Sequence, residues 1–202
     1  EQGAQHSQAL HATFSHIPGL KVVMPATASD AKGLMVAAIR HPHPVVYIED
    51  RWLHETEEQV SREIFEVPIG KARIAVSGED ITIAAISYMV PEAIRAAETL
   101  LAAGIRAEVL DVRTVKPLDY EALLASVKKT GRLVVADVGW KSFGVSAEIA
   151  ALTAEHCIDC LKAPVVRVAL SDDPAPASSS LEERYYPTWK DVVKAIKKSL
   201  AK

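Results

Sequence analysis

The chain has 202 residues, enough for one large domain or one and a half small ones, and long enough to hold a core without staples. Its formal charge is −3 with acids and bases interspersed, and the one basic run, Lys190 to Lys202, alternates with apolar residues like a helix face, so nothing marks a nucleic-acid binder. No apolar stretch approaches the roughly 20 residues of a bilayer crossing, and two cysteines without a secretory leader pattern point to a reducing, cytoplasmic setting.

Ala9, Leu10, Phe14 and Ile17 fall on one face at helical spacing, and Pro18-Gly19 ends that predicted helix. Leu20 to Met24 reads as a short apolar strand stopped by Pro25. Thr27, with Asp30 three residues on, provides a capping-box start. The helix that follows is expected to bury Leu34, Met35, Ala38 and Ile39. Val45 to Ile48 then reads as a buried strand. Strand, helix and strand with a short crossover imply a parallel sheet covered by helices. Residues 50–66 are charged and lack a sustained period, as expected of a connector between two compact units.

A second unit is expected from about Val67. Its predicted strands are Gly70 to Val76, Ile81 to Ser87, Ala107 to Asp111, Arg132 to Asp137 and Val165 to Ala169. Helices fill the gaps at Val90 to Ala103, Asp119 to Lys129 and Gly144 to Cys157. The dipeptide Gly78-Glu79 leaves no room for a helix, so the first two strands are predicted to pair antiparallel. Asp191 to Leu200 places Val192, Val193, Ile196 and Leu200 at helical spacing. Residues 172–180, DDPAPASSS, read as an irregular loop. The expected fold class is α/β: a three-layer α/β/α unit with a mostly parallel sheet and one antiparallel edge strand.

Candidate chemistry is sparse. His6 sits in GAQHSQ, where a glycine-containing turn is predicted to enter a helix and so to face a cleft near a positive dipole end. On the residues alone, a surface or capping histidine is the plainer reading. His11 is placed on another helical face, at the surface, and His16 at a helix end in a structural role. His41-Pro42-His43 suits a tight turn better than a metal pair. Cys157-x-x-Cys160 has redox or zinc half-site spacing but no second pair, so small buried residues are expected. Trp140, Phe143 and Gly144 read either as a partner surface or as an ordinary loop capped by a helix. There is no GxGxxG, P-loop or GxSxG, and no metal-ligating residue is assigned.

Residues 3–34, GAQHSQALHATFSHIPGLKVVMPATASDAKGL, resemble the second half of the pyrimidine-binding domain in β subunits of thiamin diphosphate-dependent 2-oxo acid dehydrogenases, within the transketolase superfamily. VPIGKARI, EVLDVRTVKPLD, KKTGRLVVADVGW and FGVSAEIAAL extend the resemblance over the rest of the chain, as a transketolase C-terminal domain. The resemblance implies the end of a pyrimidine domain with connector at residues 1–60 and the C-terminal domain at 67–202. It places the first half of the pyrimidine domain, with its cofactor-facing glutamate, upstream of Glu1, which is not that glutamate. His6 becomes the catalytic candidate, facing the thiazolium and the substrate carbonyl; other cofactor-binding residues stay unassigned.

Thiamin diphosphate and magnesium are implied for the complete enzyme, held largely by residues outside this chain, since the GDG…N motif is absent here. In some relatives, backbone carbonyls at the positions of Ala38, Ile39, His41 and His43 help hold potassium. The implied partners are an α subunit, a second copy of this chain and a lipoyl acyltransferase core. A transketolase-like ketol or aldehyde transferase, and a non-catalytic dimerisation and docking module, are the alternatives. EDRWLH (49–54), SYMVPEA (87–93) and the tail ALSDDPAPASSSLEERYYPT (169–188) depart from pyruvate and branched-chain subunits and mark an outlying branch.

Overall fold

The computed structural model describes residues 3–201, so Glu1 and the last lysine of the basic run lie outside it. Two sheets organise the chain. The larger joins β3 (Arg73–Val76), β4 (Ile81–Ala85), β5 (Ala107–Asp111), β7 (Leu133–Trp140) and β8 (Val166–Leu170) in the order β3-β5-β4-β7-β8. All neighbours are parallel except β3, which pairs antiparallel with β5 at one edge. Helices α4 (Met89–Leu101) and α8 (Trp189–Leu200) cover one face, and α5 (Tyr120–Thr130) and α6 (Val145–Cys157) the other.

The alternation of the strands explains the layers. Ile81, Ile83 and Ala85 of β4 join Val134 and Ala136 of β7 under α4 and α8. Ala84, Leu133 and Val135 face α5 and α6. Successive strand side chains point to opposite faces, so a continuous apolar run must be covered twice. Thr82, the polar exception in β4, meets Ser126 Oγ at 2.7 Å and Thr130 Oγ1 at 2.9 Å.

The edge strand was expected, but its partner was not. No β3–β4 hairpin forms, because the start of β5 inserts between the two strands. Glu79 and Asp80 donate their N–H groups to Arg106 O, each at 3.0 Å, and Asp80 Oδ2 accepts from Arg106 N at 2.7 Å. Any side chain on Gly78 would collide with the Arg106–Ala107 backbone. The turn is thus a seat for β5.

The smaller sheet has the order β2-β1-β6. It is made of β1 (Lys21–Val23), β2 (Val45–Tyr47) and β6 (Thr114–Lys116), with β1–β2 parallel and β1–β6 antiparallel. Strand β6, three residues from the second half of the chain, was not anticipated. The helix expected over residues 9–17 is shortened to α2 (His11–His16), leaving Leu10 and Ile17 outside it and exposed, and a separate turn, α1 (Gly3–His6), precedes it.

Helix α3 (Ala28–Arg40) starts as expected at Thr27, whose Oγ1 accepts from Asp30 N at 3.0 Å. Its buried face is Asp30, Gly33, Leu34 and Ala37, while Met35 and Ile39 are 40% and 77% exposed, contrary to the sequence expectation. An apolar pattern could not find that face, because an acid and a glycine belong to it. Asp30 is drawn in by Arg113 (2.9 Å) and Arg73 (3.5 Å), and Gly33 lies directly under Phe65 and Val67.

The connector is fixed rather than loose. Lys32 Nζ donates to Ser61 O (2.6 Å) and Glu63 O (2.8 Å), and Val67 N to Gly33 O (3.1 Å). Near the chain end, the expected loop lasts only to Ser178. Helix α7 (Ser179–Tyr185) follows it, and a capping box of Thr188 and Asp191 opens α8.

Candidate active site

In the larger sheet, β5 lies on one side of β4 while β7 and β8 lie on the other. Chain order therefore reverses between β4 and β7, and the crevice beyond their carboxyl ends is where open α/β sheets bind ligands. A cavity of about 310 Å³ lies there, and it also reaches the exits of β1 and β2. Its apolar floor includes Met24, Ile48, Met89, Val138 and Leu170. Ser87, held at φ 52° just after β4, turns the backbone so that Tyr88 joins the lining. A buried non-glycine residue in that conformation is strained, which is common beside ligand sites.

His6 is exposed and lines this cavity. It is the last residue of α1, not the first of a helix, so no positive dipole end supports it. Gln8 Nε2 donates to Ala4 O at 2.7 Å and folds the following loop back on that turn.

His11 contradicts its surface assignment. It is 1% exposed, and its Nε2 lies 2.9 Å from Asp137 Oδ1, with Asp137 fully buried. A carboxylate can only accept, so Nε2 carries the proton. Asp137 also accepts from Gly139 N and Ser146 N, each at 3.0 Å. Burial pushes its carboxyl up, but the charge and hydrogen bond of His11, with the two N–H groups, outweigh this and hold it below the usual range. A Cβ on Gly139 would lie 2.7 Å from His11 Cε1, so glycine makes room for the ring. The pair binds α2, just after the His6 loop, to the end of β7. The signal for it was Asp137 itself: an acid inside the apolar run LVVADVGW needs a buried partner.

An aromatic group closes the other side. The Trp52 ring meets Tyr88 edge-on at 4.7 Å and Tyr186 at 4.7 Å. Asp50 Oδ1 accepts from Trp52 N at 3.0 Å, fixing the turn that carries the indole. Burial raises the Asp50 carboxyl against that N–H, and burial, Glu92 and Asp50 push the Tyr88 phenol up to about 12. Tyr88 is therefore a neutral hydroxyl at any physiological pH. EDRWLH, SYMVPEA and the tail, the three departures noted in the sequence, all contribute to this one wall.

The other candidates lie elsewhere. Phe143, at φ 56°, is 99% exposed beside the half-buried Trp140, whose Nε1 donates to Tyr185 Oη at 3.1 Å, while Gly144 is buried as the N-cap of α6. These residues line a second, larger cavity of about 890 Å³ that reaches His16, at the exposed end of α2. Cys157 is buried and Cys160 partly so, both as free thiols, and burial pushes the Cys157 thiol up, away from thiolate chemistry. His43 N donates to His41 Nδ1 at 3.2 Å within a turn. Among the described residues, no three His, Cys, Asp or Glu side chains converge as a metal site.

The family model of the transketolase C-terminal domain matches residues 70–192, and that of the transketolase pyrimidine-binding domain matches residues 1–55. The chain belongs to the transketolase family. It is 45% identical over 201 residues to the mitochondrial pyruvate dehydrogenase E1 component subunit beta-1 of Oryza sativa subsp. japonica, covering 98% of this chain and 54% of that protein. It is also 45% identical over 195 residues to the pyruvate dehydrogenase E1 component subunit beta of Rhizobium meliloti, covering 96% of this chain and 42% of the relative. The chain thus spans about half the length of the curated relatives it matches. A solved structure described as an inactive β4 tetramer of a split-gene transketolase superposes with a TM-score of 0.83 at 30% identity, over 98% of this chain and 63% of that one. The likeness to transketolases and pyruvate dehydrogenase β subunits first noted in the sequence motifs thus extends over nearly the whole chain.

Proposed function

We propose that these residues are part of the β subunit of a thiamin diphosphate-dependent 2-oxo acid dehydrogenase, which performs oxidative decarboxylation and acyl transfer. On this reading, residues 1–60 are the end of the pyrimidine domain with its connector, and 67–202 the C-terminal domain. The observation that carries the reading is His6, exposed on a cavity at the sheet switch point, in a chain 45% identical to proteins named as E1 β subunits.

The side chains present fit one side of the cofactor and not its anchor. His6 offers an imidazole to the reacting carbonyl, whereas no cluster of metal-capable side chains forms among the described residues. The reading therefore assigns the magnesium diphosphate to an α subunit, and the aminopyrimidine carboxylate to residues upstream of Glu1. Thiamin diphosphate, when bound, supplies the carbanion and the electron sink for loss of carbon dioxide. His6 then donates an N–H to the oxygen that gains negative charge and holds or returns its proton, which imidazole suits near pH 7. The His11–Asp137 pair keeps the loop carrying His6 in register with β7.

Assembly follows from the same reading: a homodimer, or a heterotetramer with the α subunit, with a lipoyl acyltransferase core as acyl acceptor. The exposed Phe143 beside Trp140 supports the contact between copies. The free thiols support a cytoplasmic location. A second reading, a transketolase-like ketol or aldehyde transferase or a non-catalytic assembly module, is favoured by the structural neighbour, whose description names an inactive transketolase tetramer.

Two measurements test the proposal. In the complete subunit paired with its α subunit, His6→Ala is expected to lower 2-oxo acid turnover by about 10²-fold or more while leaving the melting temperature unchanged. Loss of folding with full activity per folded molecule would return His6 to a structural role. For the 202 residues alone, calorimetry with thiamin diphosphate and magnesium is expected to show no binding. Stoichiometric binding without a partner would mean that the cofactor site is misplaced.

A further inference from the structure

We propose that a cavity at the amino end of β8 is a binding site for a small phosphate monoester. It shares no lining residue with the His6 cavity, and it goes beyond the function proposed above without resting on it.

The site lies where the outermost strand of the larger sheet meets the last turn of α8. The approach to β8 from Ala163, its first residues Val166 and Arg167, Lys141 just after β7, and Lys198 and Ser199 of α8 enclose about 280 Å³. Three of these residues, Lys141, Arg167 and Lys198, are cationic, and no acidic residue lines the space. None of the three is paired with a carboxylate among the described residues. Like charges around one cavity repel, and an anion between them relieves the repulsion. Arg167 Nη1 donates to Lys141 O at 2.6 Å, which fixes the guanidinium and leaves its other donors for a ligand.

A buried hydroxyl points to a ligand independently of the charges. Ser199 lines the cavity at 2% exposure, and its Oγ has no hydrogen-bond partner among the described residues. A helical serine ordinarily satisfies its hydroxyl on the preceding turn, and a buried orphan is costly. An oxygen of a ligand held by the three cations would supply the missing partner. The carbonyl end of α8 opposes an anion, but by only about half an elementary charge. Arg132 Nε also donates to Ser199 O at 3.3 Å and weakens that opposition.

Size and donor arrangement select the class. The volume is just under the roughly 300–1,000 Å³ of most ligand pockets, so it admits a phosphoryl group with a few carbons and excludes a nucleotide. A phosphate monoester brings about −1.5 to −2 of charge and three diverging acceptor oxygens, which suit a guanidinium, two ammonium groups and a hydroxyl. A carboxylate offers two oxygens in one plane. A magnesium-bound diphosphate arrives with most of its charge cancelled, so thiamin diphosphate with magnesium is not the occupant.

Glycerol 3-phosphate is the probe. In the ¹⁵N-labelled 202-residue chain at constant ionic strength, it is expected to give saturable shifts of the Arg167 and Ser199 amides and to leave Ser7 and Leu10, at the His6 cavity, in place. Arg167→Gln should weaken binding by about tenfold and Ser199→Ala by about fivefold. Because Ser199→Ala removes an orphan hydroxyl, its melting temperature without ligand should not fall. Lys194→Gln, on an exposed position of α8 outside the cavity, should change binding by less than about twofold. Glycerol should give no shift, and glutarate should bind at least about threefold more weakly. Equal binding of glutarate overturns the phosphoryl assignment. Tighter binding of a hexaglutamate peptide makes this face a docking surface for an acidic protein segment and overturns the small-molecule site. No saturable shift at Arg167 and Ser199, or binding unaltered in both Arg167→Gln and Ser199→Ala, overturns the site itself.

Discussion

The two sheets are built on the same strand–helix–strand logic but bury their strands unequally. Every residue of β4 and β5 is buried, whereas all three residues of β2 are only half-buried. Helix α4 buries six side chains, among them Met89, Val90 and Leu100, while α3 leaves Met35 and Ile39 open to solvent. The larger sheet closes its own core from both faces. The smaller one borrows β6 from the second half of the chain and is tied to the larger by charge, through Asp30, Arg73, Asp111 and Arg113. Stability therefore resides in the five-stranded unit, and the candidate site in the seam where the weaker sheet meets it.

The sharpest way to break this contrast is at the seam. Asp137→Ala would strand His11 and two backbone N–H groups in the interior. Removing one partner of a buried pair costs about 3–5 kcal/mol. Urea unfolding of the variant is expected to show a loss of that size, and a loss below about 1 kcal/mol would mean that the pair is not a structural tie.

Next come the two cores themselves. Ile83→Ala, in the middle of β4, is expected to cost about 2–5 kcal/mol, as for other fully buried aliphatic truncations. Val46→Ala, in the half-buried β2, should cost less than about 1.5 kcal/mol, because less apolar surface returns to water. Equal losses at the two positions would show that the smaller sheet is as tightly held as the larger.

The same contrast governs what the sequence could reveal. The strands of the larger sheet are apolar runs between helices with clear starts and stops, and β4, β5 and β7 lie where that pattern places them. Gly131, at φ 73°, ends α5 as a helix-stopping glycine should. Long-range pairing was less legible. Nothing local distinguishes a hairpin turn at Gly78-Glu79 from a seat for Arg106, since the discriminating contact comes from 28 residues later (106 − 78). Strand β6 is too short for a period. His11 and Asp30 were missed for one reason: hydrophobic patterning assigns polar residues outward, and only a partner distant in sequence explains a buried one. His6 needed the family resemblance to stand out, and the three segments that departed from it read only as an outlying branch, because their meeting in one wall depends on contacts between residues far apart in sequence.

A smaller effect separates the charged seam from the apolar core. Burial raises the Asp111 carboxyl from 3.8 to about 6, with the Arg73 hydrogen bond opposing it and Asp30 adding to it. A carboxyl whose pKa is raised on folding binds its proton more tightly in the folded state, so its contribution to stability declines as pH rises from about 4 to 6 and is constant above. Asp137 has the opposite sign: its contribution is full above the ordinary carboxylate range and is lost as pH falls below it. Asp111→Asn should therefore gain on the wild type in melting temperature between about pH 4 and 6 and gain no further above that. A difference independent of pH would remove Asp111 from the account.

The smallest effect on folding is expected at Phe143, where the two regions present their most exposed apolar surface. The ring is 99% exposed, so Phe143→Asp removes almost no packing and should change stability by no more than about 0.5 kcal/mol. Its consequence should appear in association instead. Trp140, Tyr120 and Val145 surround the same cavity, and a large apolar patch rimmed by polar residues marks a contact surface. A self-complementary contact of at least about 1,000 Å² would place a charge opposite its own copy in the variant, with both desolvated. The wild-type chain is expected to sediment as a dimer at micromolar concentration and Phe143→Asp as a monomer. A wild-type monomer would remove the homodimer, and a dimer unaffected by the substitution would move the contact to another face, with the exposed Met35 and Ile39 stripe of α3 the next to test.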